Sequence, residues 1–295
     1  MRRAWLIAVV AAFVACSFSS CSPDRHDDIV VGSKNFSEQA LLGEILAQHI
    51  EARTHKPVTR RFYLAGTYIC QQALLAGRID MYVEYTGTAL TAVLRDPLQS
   101  NSSAVFARVQ SEYKKRFDLD VLPSLGFNNT FAIVVRGEDA RRLNLKTISD
   151  AAPHAHDWRA GFGFEFMERP DGYPGLSRVY GLTFAEPPRI LDLGLLYRAL
   201  LEKQVDIVAG NSTDGLIDAL HLVALTDDRH YFPPYDAVPV VRRDTLSAFP
   251  QLRPALTDLA NKISAEDMRH LNAEVDANQR DVPAVVRAFR TTKGL

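Results

Sequence analysis

The order of apolar and polar positions at the start of the folded chain predicts a strand followed by a helix. Residues 29–33 are mostly apolar and predict a buried strand. Apolar residues in 41–50 then recur with the spacing of one helix face. Asn35 and Glu38 lie three positions apart before that stripe, which is the spacing of a capping box. We therefore expect a strand, a capped turn and an amphipathic helix.

Strands and helices continue to alternate through the rest of the sequence. Such alternation predicts an α/β fold, in which helices cover the faces of largely parallel sheets. Further strands are predicted at 58–64, 79–83, 131–135, 158–162, 189–191, 205–209 and 238–241, and further helices at 67–76, 195–201 and in three stretches after the last strand.

Two segments of the chain resemble each other, 73–87 and 199–213. Each reads as a helix, a turn, an Asp at a strand start and a polar loop at the strand end, and Tyr85 aligns with Asn211. Because ligands in open α/β sheets bind beyond the carboxyl ends of strands, the similarity predicts two lobes with these loops across one cleft. The alternative is that any two helix–strand units look alike.

The N-terminus departs from the globular pattern and predicts export. A short basic start precedes an apolar run at 4–15, which is too short to span a bilayer and fits a signal sequence. Cys16 and Cys21 each follow a small residue, as in a lipobox. We prefer a lipoprotein signal at 1–21 with Cys21 acylated, because the polar tether 22–28 follows it, and Cys16 is the alternative. A cleaved signal that leaves a soluble periplasmic protein is the other interpretation.

Composition and motif content argue against several function classes. The 295 residues carry a formal net charge of −1 without a basic block, so nucleic-acid binding is not expected. The sequence has neither a G-x-S-x-G motif nor a P-loop, and no acid–base pair stands out, so an enzyme is not expected. His154 and His156 lie in a Pro-containing loop without an evident third ligand, so we expect neither a metal nor a cofactor. With Cys21 acylated, Cys70 is expected to be a buried apolar side chain on a helix.

Six segments are rich in side chains suited to holding a ligand. They are 32–39, 82–88, 126–131, 165–176, 211–215 and 232–235. Together they resemble the substrate-binding proteins of osmoprotectant ABC importers, the glycine betaine, carnitine and choline family. The resemblance runs from about residue 29 to about residue 290, nearly the whole mature chain.

The resemblance implies a type II periplasmic-binding-protein fold, with two α/β lobes joined by two hinge crossings that close on the ligand. Lobe 1 is expected at 29–130 and 235–295, and lobe 2 at 131–234. The implied partners are a small quaternary-ammonium ligand and the permease and ATPase subunits of an importer. We expect a periplasmic monomer that is held at a membrane by its N-terminal lipid, or is soluble if that lipid is absent.

The resemblance also implies how a ligand carboxylate is held. A carboxylate favours a cation, above all a forked guanidinium. The family positions for this task match Lys34, Thr88 and Arg169, and Asn129 and Thr213 complete the polar part of the expected site. The alternatives are a surface role for Lys34 and an ion pair that stabilises a lobe for Arg169.

A methylated ammonium group has no N–H, so aromatic faces must hold it. The family commonly uses four tyrosines, and the matching positions are Tyr85, Phe131, Asn211 and Tyr235. Phe131 keeps a ring, whereas Asn211 replaces a ring with an amide. Tyr85 and Tyr235 are expected to be cage walls, with ordinary core tyrosines as the alternative.

The amide at position 211 leaves two hypotheses for the ligand. One is weak binding of glycine betaine or choline-like compounds, and the other is a larger betaine with a polar group, such as carnitine or ergothioneine. A periplasmic sensor that uses the same clamp is a second function class. A periplasmic enzyme and a structural lipoprotein are less favoured, because catalytic groups are not evident and polar and aromatic residues converge in loops.

Overall fold

A computed structural model describes residues 28–295 as two five-stranded sheets with their covering helices. The predicted signal peptide, Cys16, Cys21 and most of the predicted tether lie outside the described residues. In chain order the strands are β1 (Ile29–Lys34), β2 (Val58–Ala65), β3 (Met81–Tyr85), β4 (Leu119–Val121), β5 (Phe131–Arg136), β6 (Ala160–Phe162), β7 (Arg189–Ile190), β8 (Ile207–Asn211), β9 (Leu222–Leu225) and β10 (Ala237–Arg242).

Helices connect these strands and complete the α/β pattern expected from the sequence. In chain order they are α1 (Ser37–Thr54), α2 (Thr67–Leu75), α3 (Thr86–Thr88), α4 (Ser102–Phe117), α5 (Gly137–Leu143), α6 (Ile148–Ala151), α7 (Phe164–Glu168), α8 (Tyr173–Tyr180), α9 (Leu196–Leu201), α10 (Leu216–Ala219), α11 (Arg243–Ala248), α12 (Leu252–Thr257), α13 (Ala265–Asp276) and α14 (Val282–Lys293). A π-helical turn, Ala89–Val93, continues α3.

The two sheets have the same internal plan. The first sheet has the order β2–β1–β3–β10–β4, and the second has the order β7–β6–β8–β5–β9. In each sheet the third strand pairs in parallel with the second strand and antiparallel with the fourth. β3 and β8, the strands of the two similar segments, therefore occupy equivalent places, as two lobes of like design require.

Apolar side chains cover both faces of each sheet. Along β1, Ile29 and Val31 join the cluster that packs against α1, whereas Val30 joins the cluster beneath α2 and α4. Along β8, Ile207 and Val208 likewise belong to separate clusters on opposite faces. Alternate strand residues point to opposite faces, so near-continuous apolar strands indicate sheets that are buried on both sides.

The chain passes between the sheets twice, through 122–130 and 226–236. The two crossings run side by side: Asn128 forms an antiparallel bridge with Asp236, and the backbone N–H of Asn129 donates to the carbonyl of Tyr235 at 3.0 Å. The two sheets are therefore connected by two adjacent segments of the chain.

The predicted capping box at the start of α1 is wrong. The N-cap residue is Phe36, whose side chain makes no capping hydrogen bond. Glu38 is instead 3% exposed and points into the interior. The helix dipole favours a carboxylate in the first turn of a helix whether or not it caps the helix. The Glu38 carboxylate points into the interior and does not cap α1.

Candidate functional site

A cavity of about 980 Å³ opens between the two sheets. Its lining comes from strand ends and loops of both halves of the chain. Eight of the predicted site residues line it, and they are Lys34, Tyr85, Thr88, Asn129, Phe131, Arg169, Asn211 and Tyr235. Thr213 does not line the cavity, contrary to the prediction.

Lys34, at the end of β1, is a buried cation and not a surface lysine. Its Nζ lies 2.5 Å from Glu84 Oε1 and 2.9 Å from Thr67 Oγ1, and the residue is 3% exposed. The same nitrogen lies 5.2 Å from the ring centroid of Tyr85. Sequence reasoning missed Glu84, although an acid between two tyrosines in an apolar strand is an unusual signal.

Arg169 forms a buried ion pair within its own turn and still lines the cavity. Its Nε donates to Asp171 Oδ1 at 3.0 Å, and its Nη2 donates to the other carboxylate oxygen. Burial alone would lower the pKa of Arg169, but the Asp171 charge outweighs that effect and raises it. Nη1 makes no hydrogen bond within residues 28–295, so the two roles considered for Arg169 are compatible.

The aromatic residues of the cavity are packed in a fixed arrangement. The ring centroids of Phe131 and Tyr235 lie 5.7 Å apart at 77°. The Arg169 guanidinium lies 5.0 Å from the Phe131 centroid and 5.9 Å from that of Tyr235. The Tyr235 hydroxyl donates to Asp171 at 2.5 Å, which fixes the ring. These rings therefore already hold a cation against their faces.

A short turn brings Thr88 to the cavity beside Tyr235. Thr88 ends α3 and is 2% exposed. A Cβ at Gly87 would lie 2.7 Å from both the carbonyl oxygen of Pro234 and the Tyr235 ring, so glycine permits this close approach.

Glu38 is the centre of a buried hydrogen-bond network that includes three of the predicted site residues. Its carboxylate accepts hydrogen bonds from Tyr85 Oη at 2.6 Å, Asn129 Nδ2 at 2.7 Å, Thr213 Oγ1 at 2.5 Å and Asn272 Nδ2 at 2.9 Å. Thr213 is fully buried and serves this network. Glu38 thus links Tyr85 on the cavity wall to Asn129 in the first crossing, to Thr213 in the second half of the chain and to Asn272 on α13.

Asn211 faces the cavity with an uncommitted amide. It pairs with Phe131 in the β5–β8 register, and its side chain makes no hydrogen bond to any residue in 28–295. Behind it, Asp214 accepts from the Asn211 backbone N–H at 2.9 Å and from Tyr197 Oη at 2.5 Å. Burial raises the pKa of Asp214 to about 6. Sequence reasoning missed Asp214, which lies three residues after a position that it singled out.

Residues 28–295 also bear on metal sites and membrane-spanning helices. Within that range, His, Cys, Asp and Glu side chains form no group of three or more that could hold a metal ion. None of the helices in that range is both long and apolar enough to cross a membrane.

Two sheets of matching order, a cavity between them and two adjacent crossings define a two-lobed binding protein of type II. The chain belongs to the family described as the substrate binding domain of ABC-type glycine betaine transport systems, whose model matches residues 27–292. The family works outside the cytoplasm with a permease, and its role is transport and not catalysis. The expected fold and the expected substrate-binding role are both confirmed.

Individual relatives agree with this assignment. The chain is 34% identical over 268 residues to the ergothioneine transport permease/ergothioneine binding protein EgtU of Helicobacter pylori, covering 90% of this chain and 48% of that protein, so it spans about half of that relative. It is 33% identical over 279 residues to the carnitine transport binding protein OpuCC of Listeria monocytogenes, covering 93% and 90%. A crystal structure of a glycine betaine/carnitine/choline ABC transporter superposes with a TM-score of 0.74 at 34% identity, covering 90% and 98%.

Proposed function

We propose that the protein captures a small quaternary-ammonium zwitterion in this cavity and delivers it to the permease of an ABC importer. The observation that carries the proposal is the joint presence of Tyr85, Phe131 and Tyr235 with Lys34 and Arg169 around one cavity. Aromatic faces suit a methylated cation, and the remaining donors on the two basic side chains suit a carboxylate.

The size of the cavity and the amide of Asn211 favour a ligand that is larger than glycine betaine. A volume of about 980 Å³ exceeds the needs of so small a compound, and the free amide of Asn211 offers a hydrogen bond to a polar tail. Carnitine and ergothioneine, for which two relatives are named, carry such tails on a methylated head. We therefore place these larger betaines ahead of glycine betaine.

A thermal-shift screen followed by titration calorimetry tests the ligand class. Glycine betaine, choline, carnitine and ergothioneine are compared with glycine and ethanolamine, which lack the N-methyl groups. A ligand at about 100 times its Kd adds about 2.7 kcal/mol to the free energy of unfolding, so a binder raises the melting temperature clearly. Binding of unmethylated controls as tight as that of methylated partners, or no heat from any methylated compound, contradicts the proposal.

Hinged closure of two lobes, 29–130 with 235–295 and 131–234, completes the proposal. Its support is the adjacency of the two crossings at Asn128 and Asp236. We expect a saturating ligand to reduce the radius of gyration in solution scattering, and light scattering to give a monomer mass. Uptake of labelled ligand by cells with and without the gene separates an importer component from a sensor, because loss of a sensor leaves transport intact.

We also propose that the protein is held at a membrane in the periplasm through acylated Cys21, with Cys16 as the alternative. The support is the basic start, the apolar run and the small residue before each cysteine. Labelled palmitate should enter the wild-type chain and Cys16→Ser but not Cys21→Ser. The reverse pattern assigns the lipid to Cys16, and absence of label from wild type indicates a soluble periplasmic protein.

A further inference from the structure

Glu165, in the second half of the chain, places its carboxylate on the first half. Its Oε1 accepts from the backbone N–H of Thr67 at 2.6 Å, and its Oε2 accepts from Thr67 Oγ1 at 3.2 Å. Thr67 is the first residue of α2, whose N-terminus carries the positive end of the helix dipole. Thr67 Oγ1 also accepts a hydrogen bond from Lys34 Nζ at 2.9 Å. An anion of the protein thus lies at a helix N-terminus beside a buried lysine.

The backbone at Gly66 leaves room for this carboxylate. A Cβ at position 66 would lie 2.3 Å from Glu165 Oε1, closer than unbonded atoms approach. Glu165 itself lines the cavity and is only half-buried, so a ligand can reach the place that it occupies. Glycine at position 66 and threonine at position 67 therefore form a fitted seat for an oxygen anion.

The charges around the cavity also indicate that a second carboxylate beside Glu165 is unfavourable. The lining contains three more acids than cations, namely Glu38, Glu165, Asp192, Asp214 and Asp276 against Lys34 and Arg169. Each of the two cations is already paired with an acid, Glu84 or Asp171. Adding a second carboxylate beside the first is unfavourable because like charges repel strongly where water is excluded.

We propose that Glu165 is a specificity-determining residue that supplies, from the protein, the carboxylate that a betaine brings with it. A quaternary cation without a carboxylate binds with Glu165 in place. A betaine binds with its carboxylate beside that of Glu165 or displaces it, and in either case Glu165 lowers the affinity for the betaine, whereas a carboxylate-free cation does not lose affinity in this way. This inference rests on the proposed function, since it concerns the same cavity and the same methylated head group.

Choline and glycine betaine form the matched ligand pair for a test, because both carry a trimethylammonium group and only one has a carboxylate. Their dissociation constants are measured by calorimetry for wild type, Glu165→Gln and Glu168→Gln. Glu168 lies on the same helix, is exposed and does not line the cavity. We expect Glu165→Gln to shift the affinity ratio toward glycine betaine by about tenfold or more, and Glu168→Gln to leave it within about twofold.

Gly66→Ala separates the charge of Glu165 from its position, because the new methyl group displaces the carboxylate while its negative charge stays in the cavity. The affinity ratio should therefore shift less than in Glu165→Gln. Equal losses of affinity for both ligands, or an unchanged ratio in Glu165→Gln, overturn the role of Glu165 while leaving the proposed function intact. Absence of binding of every methylated compound by wild type and both variants overturns the proposed function as well.

Discussion

Tyr85 and Asn211 end equivalent strands of two sheets with the same order, yet their side chains are held in opposite ways. Tyr85 is 5% exposed, and its hydroxyl is fixed by Glu38 at 2.6 Å. The amide of Asn211 makes no hydrogen bond to any residue in 28–295, although Asp214 holds its backbone. At these equivalent positions the first sheet therefore presents an aromatic ring and the second sheet presents a hydrogen-bonding amide.

This difference teaches that the cavity suits a ligand with two unlike ends. A methylated cation gains from rings but cannot use an amide, whereas a polar tail gains from the amide. The rings of Tyr85 and Tyr235 and the amide of Asn211 all line the cavity, so one ligand can meet both kinds of group. Changes that remove or equalise the two ends should reveal how much each contributes.

The largest effect is expected from breaking the buried ion pair of the second half. Arg169→Ala leaves the Asp171 carboxylate, which has no exposed surface, without its cationic partner. Removal of one member of a buried pair costs about 3–5 kcal/mol of unfolding free energy. Urea denaturation should show that loss, whereas Arg178→Ala, at an exposed position of α8, should cost less than about 0.5 kcal/mol.

The double variant Arg169→Met/Asp171→Leu separates stability from binding. Replacing both charges with apolar groups removes the unpaired carboxylate, so most of the lost stability should return. Ligand affinity should not return, because the guanidinium is absent. If the double variant is as unstable as Arg169→Ala, the cost comes from lost packing and the account of the pair is wrong.

Much of the fold could be predicted because each central strand is almost wholly apolar and is followed by a helical pattern. β4 and β9 were not predicted, since they are edge strands of only a few residues and carry little periodicity. Each is recognised only through its pairing with β10 or β5, which are distant in sequence.

The site was predicted less completely, for physical reasons that differ between residues. Glu38 has the sequence spacing of a capping box, and only the backbone position of Phe36 frees it for the cavity network. Thr213 lies two residues after Asn211 but turns into the core, where it meets Glu38. Asp171 depends on a tight turn that folds it back onto Arg169, and no periodic pattern signals such a turn.

The second largest effect concerns His49, on α1 in the first half of the chain, and depends on pH. Burial, reinforced by the positive charges of Arg290 and Arg53, lowers the pKa of His49 to about 4. A histidine whose folded pKa lies below its unfolded value of about 6.5 stabilises the fold fully above that pH. The contribution declines as pH falls from about 6.5 to 4, by up to about 3 kcal/mol.

Denaturation curves at several pH values check this decline. His49→Leu keeps an apolar volume in α1 and should make the unfolding free energy less dependent on pH between about 4 and 6.5. Exposed His270 is the matched control, and His270→Gln should keep the wild-type dependence. The opposite contribution of Asp214, whose folded pKa is raised to about 6, grows as pH falls below that value and makes the net decline smaller. If His49→Leu and wild type give the same pH profile, His49 does not cause the decline.

A smaller effect should follow from Tyr85→Phe, which keeps the ring of the first wall and removes its hydroxyl. Glu38 then loses one of its four donors, and a hydrogen bond to a charged group contributes about 1.5–3 kcal/mol. Tyr113→Phe is the control, because that buried hydroxyl has no partner within residues 28–295. We expect the first variant to lower the unfolding free energy and the second to leave it unchanged; equal losses mean that the Glu38 network is not what fixes Tyr85.

The smallest effect should come from making the two strand ends alike. Asn211→Tyr gives the second half a ring, and one added cation–π contact contributes about 0.5–2 kcal/mol, which corresponds to about 2- to 30-fold in Kd. Calorimetry should therefore show tighter binding of choline and glycine betaine but weaker binding of a betaine whose tail uses the amide. Asn211→Gln keeps an amide and should preserve the wild-type preference. If the tyrosine variant strengthens binding of all these ligands equally, the amide does not contact a polar tail, and the cavity does not distinguish the two ends of its ligand.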